Sequence, residues 1–198
     1  MKSKTVFLFI LLTASVPSFS QGWTKSQLDK ANTAKNVSYL TKTEREAIMY
    51  LNLCRLFPKE FSELEVSQYK INEDYEDSVL IQFEEFKKSL QTDLLSRKAC
   101  KALTFSRTLY LDAKCYAKEI SKVNRSGHDR VNCKKTNYAE CISFGQRTGK
   151  DIALQLLVDS GIKSLGHRKI CLGKSYTKIG LSSNIHFEFE FCTVAEFQ

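Results

Sequence analysis

Apolar positions along this chain fall into helical rhythms first and strand rhythms late. Val79, Phe83, Phe86, Leu90 and Leu94 repeat at steps of 4-3-4-4, which predicts a helix over 75–97. Leu109, Ala113, Tyr116, Ile120 and Val123 repeat at 4-3-4-3 and predict another over 106–123, ended by the turn-forming Asn124-Arg125-Ser126-Gly127. An earlier helix is expected from Thr43, which has capping-box spacing to Glu46 and is followed on one face by Ile48, Leu51 and Arg55. Pro58 either stops that helix or starts a new turn. A fourth helix fits Gly149 to Leu165. Near the C-terminus Lys178-Ile179-Gly180-Leu181 reads as a short strand. His186 to Phe191 alternates with period two, so Phe187, Phe189 and Phe191 are expected on one face of a second. Helices first and strands late predict an α+β or layered domain.

The N-terminus has a pattern of its own. Lys2 and Lys4 precede an apolar run over 6–12, and Ser18-Phe19-Ser20 supplies a small-residue exit. That order is the signature of a cleavable export signal over 1–20, with a buried N-terminal helix as the plainer alternative. The run is far shorter than the ~20 residues a spanning helix needs, and no later segment is long and apolar enough. The expected product is soluble, monomeric, and secreted, extracellular or periplasmic. Residues 21–42 are polar and read as a leader or linker, leaving one domain over 43–198.

Charge changes the picture modestly. Residues 43–96 hold six basic against twelve acidic side chains, and 97–178 hold eighteen against six. The basic half is either a solvated face or a surface for anionic envelope polymers. Nucleic acid is not an expected partner, because no basic run is interleaved with aromatics. Export would place all seven cysteines where disulfides form, and the odd number leaves at least one thiol free or intermolecular. Cys133 and Cys141 are near enough in sequence to staple a loop. The absence of any C-x-x-C pair argues against a zinc ribbon or a thioredoxin-like site.

The three histidines are His128, His167 and His186, with Glu140 between the first two. Two imidazoles and a carboxylate from separate segments suit a borderline divalent cation such as zinc, with a position left open for water. Ordinary surface or capping histidines are the alternative.

These segments, taken in order, resemble the CAP superfamily, which takes in cysteine-rich secretory proteins, antigen 5 and the plant pathogenesis-related proteins, and most of all its bacterial envelope branch. The resemblance is carried by Asn52 and Arg55 with Phe57-Pro58-Lys59-Glu60-Phe61, by Gly127-His128-Asp129, and by Ala139-Glu140-Cys141-Ile142-Ser143-Phe144-Gly145. Leu156-Leu157-Val158-Asp159-Ser160-Gly161 with Gly166-His167-Arg168, and the closing strands from Ile179, complete it. It implies a three-layer α-β-α sandwich of CAP/SCP type. Its cleft would hold a divalent metal on His128 and His167, with Glu140 as the acidic partner. The asparagine usual after that glutamate is Cys141 here, Ile170 stands where another is expected, and the family's tryptophan before the second histidine is absent. Asp159 is the nearest candidate for a second cleft carboxylate, or else pairs with Lys163; His186 lines the cleft or is structural. Arg168 holds an anionic ligand or caps a helix. The function expected is a binding module for an unidentified ligand (envelope polymer, lipid or peptide). The alternative is a zinc-dependent hydrolase of peptide or envelope substrates with Glu140 as general base.

Overall fold

The structure, a computed structural model, describes residues 22–71, 77–122, 127–134 and 138–198. The expected export signal, Val123 and the turn residues Asn124 to Ser126 lie outside the described residues. Among the described residues seven α-helices and a four-stranded mixed sheet make an α+β domain. The helices are α1 (Lys25–Ala31), α2 (Lys42–Leu56), α3 (Pro58–Phe61), α4 (Asp77–Ser96), α5 (Arg107–Lys122), α6 (Gly149–Val158) and α7 (Gly166–Cys171). The strands are β1 (Thr104–Phe105), β2 (Ala139–Phe144), β3 (Lys178–His186) and β4 (Glu190–Phe197). A single π-helical stretch, Ser62–Val66, follows α3. Among the described residues no helix is long and apolar enough to cross a membrane.

The stretch expected as a polar leader is folded into the domain. Thr24 and Gln27 cap α1 reciprocally, and Ala31, Ala34 and Leu40 are buried. Trp23 packs against Phe57 and Phe61 and donates to Glu65 at 2.6 Å. A mostly polar sequence can be packed in this way because the contacts use small alanines and backbone carbonyls rather than a long apolar stripe. Helix α2 is capped at Thr41, two residues before the expected cap. Thr41 and Glu44 form the capping box, with Thr41 accepting from the Glu44 N–H at 3.1 Å and Glu44 accepting from the Thr41 N–H at 2.7 Å. The buried Glu44 carboxylate also accepts the Ser183 N–H at 2.9 Å, so this pair wins over Thr43 and Glu46 by tying the helix to β3. Pro58 does both things expected of it: α2 stops at Leu56 and the proline opens α3.

Helix α5 buries Leu109, Ala113, Tyr116 and Ile120 as its rhythm predicts, whereas α4 buries Phe83, Leu90 and Leu94, half-buries Phe86 and leaves Val79 40% exposed. Helix α6 is shorter than expected. Asp159 turns left-handed at φ 56° and ends it, and a separate helix starts at Gly166. The sheet order is β1-β3-β4-β2, with β1 parallel to β3 and the other pairs antiparallel. The alternating run from His186 to Phe191 is not one strand. His186 pairs with Glu190, so residues 187–189 form the hairpin turn and Phe187 is 86% exposed. Two features close this turn: Glu190 at φ 62°, and His186 Nδ1, which accepts the Glu188 and Phe189 N–H groups.

Successive strand residues face opposite sides, and both sides of the sheet are covered. Ala113, Tyr116, Ala117 and Ile120 of α5 pack with Ile142, Cys192 and Val194. Cys141, Ile179, Leu181, Ala195 and Phe197 belong to the larger cluster shared with α2, α6 and α7. Helix α5 lies so close to β3 that a side chain at Gly180 would meet the Tyr110 nitrogen at 2.0 Å.

Two polar residues of α2 lock the larger cluster. Asn52 donates to the Ala31 and Leu103 carbonyls and accepts the Leu103 N–H. Arg55, 1% exposed, reaches four carbonyls: Lys101 at 2.9 Å, Cys171 at 2.6 Å, Gly173 at 3.0 Å and Tyr176 at 2.8 Å. Arg55→Met leaves those oxygens without their donor and is expected to cost on the order of 3–5 kcal/mol in urea unfolding. A midpoint equal to that of an exposed control, Lys30→Met, would show that the cage contributes nothing.

Candidate functional site

The site is built on both sides of β2. On one side, the loop carrying His128 is fastened to α5. Tyr116 donates to the Gly127 carbonyl at 2.7 Å, and the Glu119 carboxylate accepts the N–H groups of Val131, Asn132 and Cys133. A disulfide joins Cys115 to Cys133 with the Cα atoms 5.9 Å apart. Cys133 therefore does not staple to Cys141. Cys141 is wholly buried on the opposite face of the sheet, with its thiol near the His167 carbonyl.

From this loop His128 reaches Glu140 of β2, Nδ1 to Oε1 at 2.7 Å. Glu140 stands directly opposite Glu196 of β4, and two facing carboxylates repel. Arg130 resolves the conflict. Its guanidinium bonds Glu140 through Oε2, bonds Glu196, and holds both oxygens of Asp112 at 3.0 Å, while stacking 4.6 Å over the Tyr116 ring. One guanidinium does not neutralise three carboxylates, and the electrostatic conflict falls on Glu196. Burial, then the Glu140 carboxylate and then Asp112, push the Glu196 carboxyl up to about 10, with Arg130 opposing. Its Oε2 is buried with no hydrogen-bond partner among the described residues. Burial also pushes Glu140 up, but hydrogen bonds with His128, Glu196 and Arg130 together hold it below the ordinary carboxylate range. The same Glu140 bond lifts the His128 imidazole above its usual value, against burial.

On the other side, His167 at the start of α7 pairs with Asp159, Nδ1 to Oδ1 at 2.8 Å. Asp159 Oδ2 also accepts the N–H groups of His167 at 3.0 Å and Arg168 at 3.3 Å. The left-handed turn that ends α6 aims this carboxylate at α7, so Asp159 serves His167 rather than Lys163. Arg168 caps α6, donating to the Leu157 and Val158 carbonyls, and extends to Ser89 and Phe86 of α4. His167 and Asp159 line a cleft of about 440 Å³, together with Tyr69, Phe83, Phe144 and Gln155 among others.

The two histidines expected in one cleft are thus held in two separate carboxylate pairs. His128 and Glu140 are not among the residues lining the cleft that holds His167. Nor is His186, which is 1% exposed, supports the hairpin turn and stacks on Phe144 with ring centroids 5.3 Å apart. Among the described residues no group of three or more His, Cys, Asp or Glu is arranged to hold a metal. In donor chemistry the residues still suit a borderline cation. Each imidazole has Nδ1 tied to a carboxylate, and neither Nε2 has a hydrogen-bond partner among the described residues.

Sequence reasoning missed Arg130, Asp112 and Glu196. A signal existed for Glu196: on β4 it shares a face with the buried Cys192 and Val194, and an acid in that register needs a partner. Its raised pKa has a testable sign. The folded chain keeps this proton at pH values where the unfolded chain has lost it, so the group's contribution to stability falls as pH rises from about 4.5 toward 10. Glu196→Gln keeps a donor and removes the titration. Its urea midpoint is expected to gain on the wild type progressively across that window, and a constant difference would refute the raised Glu196 value.

Compared with known proteins, the chain matches no family model and no curated protein.

Proposed function

We propose that the chain is an exported binding module, a three-layer α-β-α sandwich of CAP/SCP type, that takes its ligand in the cleft beside β2. The observation that carries this reading is the His167–Asp159 pair at a cleft of about 440 Å³. The cleft combines apolar walls with a few oriented polar groups, as small-ligand sites do. The helix cover on both faces of the sheet and the order of the CAP-like segments support the architecture. At the cleft His167 would hold a divalent ion of zinc type through Nε2, with Asp159 orienting the ring behind it. His128, oriented by Glu140 outside the lining of that cleft, is the second imidazole that the CAP-like segments assign to the ion. Such an ion would supply a Lewis-acidic point for an anionic or carbonyl-bearing ligand.

The hydrolase alternative has less support. The base it needs, Glu140, already has Oε1 engaged by His128 and Oε2 by Arg130. Cys141 is wholly buried, and burial pushes its thiol well above the usual range.

Zinc titration of the purified chain by calorimetry tests the ion. One site is expected, weakened about tenfold or more by His167→Ala and by His128→Ala, and by roughly 10- to 100-fold by Asp159→Asn. Unchanged affinity in both histidine variants would remove the metal from this proposal.

A further inference from the structure

Among the described residues strand β2 is the last of its sheet, and its outer edge is finished at one end only. Gly145 N–H bonds the Phe191 carbonyl at 2.9 Å, which fixes the phase of the ladder. Cys141 and Ser143 turn their backbone groups toward β4, while Glu140, Ile142 and Phe144 turn theirs away. At Phe144 the outward groups are answered by a side chain. Gln155 Oε1 accepts the Phe144 N–H at 3.2 Å, and Gln155 Nε2 donates to the Phe144 carbonyl at 3.0 Å. A primary amide here does what a neighbouring strand would do.

Two residues back, the same edge has no such answer. No described residue bonds the outward N–H or C=O of Ile142, although Ile142 is only 7% exposed and lines the cleft. Buried backbone groups are almost always paired, so an N–H and a C=O side by side in a cleft call for a ligand with the matching acceptor and donor. The peptide group of an extended chain has that pair at the right spacing, repeating about every 6.8 Å along a strand. Around the edge, the Tyr69, Val79 and Phe83 side chains offer an apolar wall, and Gln82 and Gln146 offer further amides.

We infer that the cleft binds an extended peptide as a fifth strand, paired to β2 at Ile142 and stopped at Phe144 by Gln155. This inference rests on the cleft reading above and names the class of ligand. The backbone supplies the pairing. An apolar side chain packs against the wall formed by Val79 and the contacting rings of Tyr69 and Phe83, and His167 stands beside the bound strand.

The test uses capped pentapeptides that alternate threonine with valine, leucine or phenylalanine, titrated into the full chain. At least one is expected to bind, with period-two sensitivity to backbone N-methylation. Methyl groups on one set of alternate amides weaken binding about tenfold or more, and those on the other set leave it nearly unchanged. Ile142→Pro removes the outward donor at an edge position that tolerates proline and should weaken binding as much. Gln155→Ala should extend the methyl-sensitive register by one amide. If Ile142→Pro does not fold by circular dichroism, the methylation pattern alone decides. Peptide binding indifferent to both would overturn strand addition and leave the cleft as a binding site. No peptide binding in a chain whose zinc affinity still depends on His167 would overturn the peptide class alone. Loss of both would overturn the cleft reading as well.

Discussion

A guanidinium among three carboxylates makes the pairing of β2 with β4 tolerable. Register sets Glu140 against Glu196, and the inward face of the sheet leaves Glu196 no route to water. Arg130 can serve them only because its loop is held by Glu119, by Tyr116 and by the Cys115–Cys133 bridge. Charge neutralisation, disulfide and strand pairing are therefore one assembly. Removing the arginine would leave buried charge uncompensated, which costs far more than an exposed ion pair contributes. The placement of His128 and the course of the β2 edge both follow from it.

Much of the helical frame was legible because its signal is local. The spacing of Phe83, Leu90 and Leu94, and of Leu109, Ala113, Tyr116 and Ile120, states which face is buried, and the structure buries that face. What the sequence conceals is set by contacts distant along the chain. Glu44 wins the α2 cap through Ser183, and Asn52 draws the polar N-terminal segment into the core through the Ala31 carbonyl. The phenylalanines after His186 have strand alternation, but turn geometry at Glu190 takes precedence over side-chain period.

The site was legible as residues and hidden as geometry. The residues expected together are divided between two pairs, His128 with Glu140 and His167 with Asp159. That Asp159 would orient His167 depended on a left-handed residue at the end of α6, which no spacing rule announces for aspartate. The basic residue that matters most, Arg130, lies inside a positively charged half whose other members face solvent in large part. Net charge gave no reason to single it out.

Gln155 has a consequence for the company this chain keeps with itself. An open edge strand invites another copy to continue the sheet, and an unbroken run of backbone pairing is how ordered aggregates grow. By answering Phe144 with a side-chain amide, α6 shortens the available edge to a length that suits a short guest and frustrates an indefinite stack. Receptivity and solubility are then set against each other at one glutamine. Any lineage that lengthened the edge to grip its guest harder would also have brought its own copies closer to association.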